Sequence, residues 1–299
     1  MSKPVYHVRH DLQPALTLEL LLLLVSKSPC RAADLTQAAQ ERGYRLANRS
    51  LDQLLASLTS LKIIERNATA EISLTTRGQL IATQTRQNPN LLAELLHFTY
   101  YTLYDLAGEP TPTLRFSWAY QQVCNFLWEQ GQQLVKTDQL VTLVQERAQQ
   151  TFGDIEEYGV SFSRDSVTGI IQWIEYLDPS CIKLNNAEKR TFSRRSICPL
   201  ESLLLALQYV ASVPDPGQPP ALQLQLTPSV RQAVARLCLL ETEGFDDLLP
   251  DLAQAFGLAY RQTERGQWIS LPGNRSSLPL KVWNDQPIAF EPSSLPSSF

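Results

Sequence analysis

The sequence predicts a mainly α protein with short β-hairpins, built from repeated helical units joined by helices. Three observations carry this: apolar residues recur at helical spacing along most of the chain, β-type runs are short and come in pairs around turn residues, and the order helix, helix, helix, hairpin, helix occurs twice. With 299 residues, 43% apolar and 19% charged, the chain has material for two or three buried cores and is not a disordered polymer.

The first unit occupies residues 1–90. An apolar run from Leu18 to Val25 makes a buried helix that stops before Pro29, which cannot continue it. A second helix over 31–42 places Ala32, Leu35, Ala38 and Ala39 at helical spacing, and Gly43 follows as a C-cap. The third helix starts near Asn48 or Ser50, both N-cap residues. It presents Leu51, Leu54, Leu55, Leu58 and Leu61 on one face, with Arg49, Gln53, Ser57 and Ser60 pointing away. Runs over 63–66 and 71–74 flank Asn67-Ala68-Thr69-Ala70 as a hairpin, and a closing helix opens at Thr75-Thr76-Arg77-Gly78.

Residues 16–86 resemble the winged helix-turn-helix family of bacterial regulators. The helix order carries the resemblance, together with Leu74-Thr75-Thr76-Arg77-Gly78, which is similar to the Leu-Thr-x-x-Gly step returning the family's wing into its closing helix. The resemblance implies a recognition helix, a wing and double-stranded DNA as partner. Arg45, Asn48, Arg49, Gln53 and Ser57 are then the candidates for base edges, and Lys62 and Arg66, flanking the wing, are those for phosphates. The same module also serves as a protein-docking domain, so an interaction scaffold is the alternative.

Asn88-Pro89-Asn90 breaks the closing helix, and a new one runs over 91–107, from Leu91 to Ala107, with Leu92, Leu95, Leu96, Thr99, Leu103 and Leu106 on a broad apolar face. Phe98, Tyr100, Tyr101 and Tyr104 lie in the most acidic part of the chain, so they read as core or dimer-interface residues rather than as base-stacking platforms. This helix, with the stiff stretch up to Pro112, is expected to connect the units, and its wide apolar face either offers a homodimer interface or is covered by the second unit, beginning at Phe116, within the same chain.

A second unit over 113–213 repeats the organisation of the first. Its helices cover 116–130, 138–152 and 163–177, its hairpin joins 181–184 to 191–193 across Asn185-Asn186-Ala187-Glu188, and a closing helix covers 200–211. The predicted fold class is therefore mainly α with tandem winged-helix-like units. The second hairpin carries Lys183, Lys189, Arg190, Arg194 and Arg195, the densest basic cluster, where a wing meets phosphates or the minor groove. After the proline-rich stretch 214–220, two helices and a hairpin over 258–271 form a small C-terminal domain to residue 283. This domain reads either as a truncated third unit or as an α+β cap, and a flexible tail over 284–299 follows it.

Net charge is −4, but residues 1–90 hold 11 Lys+Arg against 7 Asp+Glu, whereas residues 91–162 hold 3 against 9. A basic reader on an acidic body confines phosphate attraction to one surface. The five cysteines are widely spaced in apolar contexts and read as reduced residues of a cytoplasmic protein, and the first apolar run is too short for a membrane span. Neither a phosphate loop, nor His-Glu-x-x-His, nor paired Cys-x-x-Cys, nor Gly-x-Ser-x-Gly occurs, so no catalysis, cofactor or metal is expected. His97 reads as a core histidine, and the clusters Asp154-Glu156-Glu157 and Asp246-Asp247-Asp251 read as acidic loops or helix starts. Expected functions are a DNA-binding regulator or accessory factor first, a scaffold in a multi-subunit complex second, and an unrecognised nuclease third.

Overall fold

Helices form wherever the apolar stripes run, and identifiable residues end them. The computed structural model describes residues 4–8, 14–43, 48–107, 111–152, 160–184, 189–212, 223–264 and 266–271, with the side chains of 48–50 left aside. In the first part lie α1 (Pro14–Lys27), α2 (Ala32–Glu41), α3 (Asn48–Ser60), β1 (Ile64–Arg66), β2 (Ile72–Leu74), α4 (Thr76–Gln87) and α5 (Leu91–Thr102). The middle holds α6 (Arg115–Gln130), β3 (Gln133–Leu134), α7 (Thr137–Thr151), α8 (Arg164–Glu175), β4 (Ile182–Leu184), β5 (Arg190–Phe192) and α9 (Leu200–Ser212). The last part holds β6 (Gln223–Gln225), α10 (Pro228–Leu237), α11 (Thr242–Phe256), β7 (Tyr260–Thr263) and β8 (Gly266–Ser270). The chain is thus mostly helical with small antiparallel sheets, as predicted. The proline-rich stretch 214–220 and the tail 284–299 lie outside the described residues.

Sheet order reveals a recurrence that the sequence shows only in part. β3, β5 and β4 lie in the order β3-β5-β4, and β6, β8 and β7 lie in the order β6-β8-β7. In the first part Cys30 bridges Ile72 of β2, which pairs with β1, so the order is again first, third, second. Among the described residues a helix (α1, α6 or α9), an extended stretch, two helices and a hairpin therefore follow one another three times. The stretches Gln133–Leu134 and Gln223–Gln225 are too short to show a period of two, which is why they do not read as strands. α9 follows the second hairpin and also packs on α10 and α11, serving as the first helix of the third repeat.

At the centre lies α5, with every one of its 12 residues buried. It packs against α1, α4, α6, α8 and α9. The expectation of a homodimer interface on helix 91–107 does not hold, because the face wider than one packing partner needs is covered by several helices of the same chain. Its aromatics are core residues: Tyr100 stacks on Tyr120 at 5.1 Å, and Phe98 meets Tyr209 edge-on. The N-terminal strap is a further core element that the sequence reading passed over. Tyr6 and Val8 are fully buried, Val5 N–H donates to Pro112 O at 3.0 Å, and Tyr6 lies edge-on to Trp118. Buried apolar residues from Tyr6 to Leu271 join in one continuous cluster.

Candidate nucleic-acid interface

α3 is amphipathic as predicted, with Leu51, Leu54, Leu55, Leu58 and Leu61 almost fully buried. Its outer stripe carries exposed Asp52, Thr59 and Ser60, with Gln53 and Ala56 half-buried. Asn48 and Arg49 belong to the first turn of this helix, but their side chains lie outside the described residues, as does Arg45 altogether. Ser57 is a correction, being only 4% exposed and donating to Gln53 O at 3.0 Å. At about 100° per residue Ser57 sits roughly 60° from Leu54 and 40° from Leu61, inside the apolar stripe, so its hydroxyl is small enough to bury and is satisfied within the helix.

The step from Leu74 to Gly78 ties α3 to the hairpin. Thr75 Oγ1 accepts from Gly78 N–H at 3.1 Å as the N-cap of α4 and donates to Lys62 O at 2.7 Å, while Arg77, itself buried, donates to Leu61 O at 3.1 Å. Gly78 permits this approach, since a Cβ there would lie 2.0 Å from Ile63 O. Lys62, just past α3, is exposed and left-handed at φ 54°, and Arg66 is exposed at the end of β1. The tip between β1 and β2 is built on Asn67, whose Oδ1 accepts from the backbone N–H of Thr69 and Glu71. Hydrogen bonds from Asn67 and Thr69 hold the half-buried Glu71 carboxyl below its ordinary range, so the tip itself carries negative charge. The exposed cations beside the first hairpin are Lys62 and Arg66.

In the second hairpin the predicted basic cluster divides. Lys183, Lys189 and Arg190 are exposed, with Arg190 3.4 Å from Glu175 of α8. Arg194 instead donates to Trp128 O at 2.7 Å and lies over the Trp128 ring at 4.4 Å. Arg195 is fully committed to the interior: its guanidinium takes both oxygens of Glu94 at 2.6 and 2.8 Å, and its Nε–H donates to Cys238 O at 2.8 Å. Both assignments to DNA are corrected on these grounds. Beyond β5 Arg195 N–H meets Leu239 O and Arg195 O accepts from Glu241 N–H, and the Arg195 side chain turns into protein.

The Glu94–Arg195 pair is 1% exposed on each side. Burial pushes the Glu94 carboxyl up, but the guanidinium and the Ser202 hydroxyl at 3.0 Å outweigh it, and the carboxyl is held below its ordinary range. Burial alone lowers the basicity of Arg195, and Glu94 raises it further than that. Nearby His97 bonds Tyr120 Oη at 2.7 Å and Leu237 O at 2.9 Å. Because a carbonyl only accepts, Nε2 carries the proton and Nδ1 accepts from the tyrosine, a neutral imidazole as expected for a core histidine. Burial lowers its pKa to about 4. All five cysteines are buried free thiols. Burial pushes Cys181 up to about 12 and Cys124 well above its ordinary value.

The third repeat presents a different surface. Glu243, Asp246, Asp247 and Asp251 are exposed along α11, with exposed Glu241 as its N-cap, and α11 corresponds to α3 in order. Asp246 pairs with Arg231. Residues 154–157 of the other acidic cluster lie outside the described residues, and among the described residues no group of three His, Cys, Asp or Glu is placed to hold a metal. A polar cavity of about 470 Å³ lies between the starts of α7 and α8, lined by Lys136, Thr137, Asp138, Arg164 and Thr168, with two Arg164 nitrogens already bonded to Asp138 at 2.6 and 2.9 Å. No helix among the described residues is long and apolar enough to cross a membrane. Comparison with protein-family models, with curated proteins and with solved structures found no match.

Proposed function

We propose that this chain is a non-catalytic cytoplasmic DNA-binding protein of winged helix-turn-helix architecture, serving as a transcriptional regulator or as an accessory factor of a DNA-processing or defence system. The observation that carries the reading is the threefold recurrence of helix, strand, helix, helix and hairpin with sheet order first, third, second. In that arrangement α3 is the recognition helix of the first repeat and the β1–β2 hairpin its wing, and Lys62, Arg66, Lys183, Lys189 and Arg190 are the exposed cations that meet phosphate. Fluorescence anisotropy with duplex DNA at rising salt tests this. Affinity falls with salt, and Lys62→Ala with Arg66→Ala makes the log–log slope shallower by about 2, since each phosphate contact contributes about 0.9. Undetectable binding by the wild type at the lowest salt removes the DNA reading.

A second reading, the protein scaffold, is favoured by the acidic face of α11, which repels phosphate and suits a basic protein surface. Purification from native cells separates the two. A stoichiometric companion released by Glu243→Lys with Asp247→Lys supports the scaffold, and a chain that purifies alone with duplex affinity opposes it.

A further inference from the structure

Leu184 is the most exposed large apolar side chain among the described residues, at 64%. Strand register explains how it comes to be there. Ile182 pairs with Phe192, Lys183 with Thr191 and Leu184 with Arg190, so Ile182, Phe192 and Leu184 share one face of the hairpin. Ile182 and Phe192 are buried on that face at 4% and 0%, but the hairpin outruns the body of the protein and carries the same apolar face out into water. The surroundings of Leu184 are cationic: Lys183 precedes it on the other face of the strand, Arg190 lies opposite it, and Lys189 immediately precedes the return strand. Glu175 of α8 lies 3.4 Å from Arg190 on this side of the hairpin. Val5, Val25, Leu134 and Ile197 are also exposed, at 41–56%, but none of them shares a strand pair with two cations.

We propose that Leu184 is an apolar wedge that enters the minor groove of duplex DNA and partly unstacks a base step, while Lys183, Lys189 and Arg190 hold the flanking phosphates. The proposal rests on the DNA reading above and deepens it. An exposed leucine costs free energy in water, and the cations around it draw in a polyanion whose minor groove offers an apolar slot between base pairs. Pyrimidine–purine steps, the easiest to unstack, are the preferred target, so the wedge selects deformable sequence with no base-edge hydrogen bond.

The test uses the full-length protein and a duplex of about 25 base pairs with dyes at both ends and aminopurine at a central TA step. Anisotropy scores binding, energy transfer scores bending and aminopurine emission scores unstacking. Wild type binds, shortens the end-to-end distance and raises the emission. Leu184→Ser loses the emission rise and the bend, with affinity lower on the order of tenfold and an unchanged salt slope, whereas Leu184→Phe keeps both signals. Lys183→Ala with Lys189→Ala lowers the salt slope by about 2. Being largely exposed, Leu184→Ser leaves the thermal midpoint in place, which the melting curve checks. A wild type that binds but leaves the duplex straight and stacked overturns the wedge alone, as does a Leu184→Ser variant with full signals. A wild type with no anisotropy change at the lowest salt overturns the DNA reading, and the wedge with it.

Discussion

Glu94 and Arg195 are separated by 101 positions and meet in the interior at 1% exposure each. Removing one partner leaves the other charge buried, so Arg195→Met or Glu94→Leu alone is expected to lower unfolding free energy by about 3–5 kcal/mol. The double variant recovers much of this, because an apolar pair of similar volume leaves no orphaned charge, and urea denaturation of all three forms measures it. His97 responds to pH in one direction. Its folded pKa, near 4, lies below the unfolded value of 6.5, so the folded state resists protonation. Its contribution is whole above about pH 6.5 and is lost as pH falls towards 4, on the order of 3 kcal/mol in all. Unfolding curves at neutral and mildly acid pH for wild type and His97→Gln isolate this share, and a variant that loses stability in parallel with wild type would refute it.

At the level of elements, the position of α3 relative to the β1–β2 hairpin depends on α4 standing close to the loop between them. A Gly78→Ala side chain would sit 2.0 Å from a backbone carbonyl, so that variant is expected to lose about 1–3 kcal/mol and to displace α4 from Ile63 O. Amide exchange at Thr75, which donates to that carbonyl at 3.0 Å, reports the displacement directly. Within α3, Ser57→Ala leaves duplex affinity unchanged because the hydroxyl is spent inside the helix. α5 gives a contrasting expectation. Leu96→Glu places a carboxylate at a site with no exposure, so it unfolds the chain instead of splitting a dimer. Circular dichroism beside sedimentation distinguishes these outcomes, and a folded Leu96→Glu monomer from a dimeric wild type would restore the interface view.

Across the whole molecule, charge is segregated by repeat. Exposed cations flank the first two hairpins, with Glu65 and Glu71 also on the first, and carboxylates line α11 of the third. If one DNA duplex runs along the repeats, Glu243→Lys with Asp247→Lys raises non-specific affinity at low salt and does little once the Debye length shrinks to about 8 Å. An affinity unmoved at low salt places the third repeat away from the duplex.

What the sequence determined by itself was local. Helical spacing marked α1–α3 and α6–α9, turn residues marked the hairpins, and the Leu74 to Gly78 step marked the start of α4, because period, caps and turn chemistry act over a few residues. Tertiary structure alone decided which outward residues are outward. Arg194 and Arg195 follow a basic strand in sequence, yet one covers Trp128 and the other neutralises Glu94. The extended stretches β3 and β6 exist only through pairing with β5 and β8, and α5 is a core helix only because α6, α8 and α9 close over it. Burial and pairing are properties of partners distant in sequence, and no local pattern encodes which partner arrives.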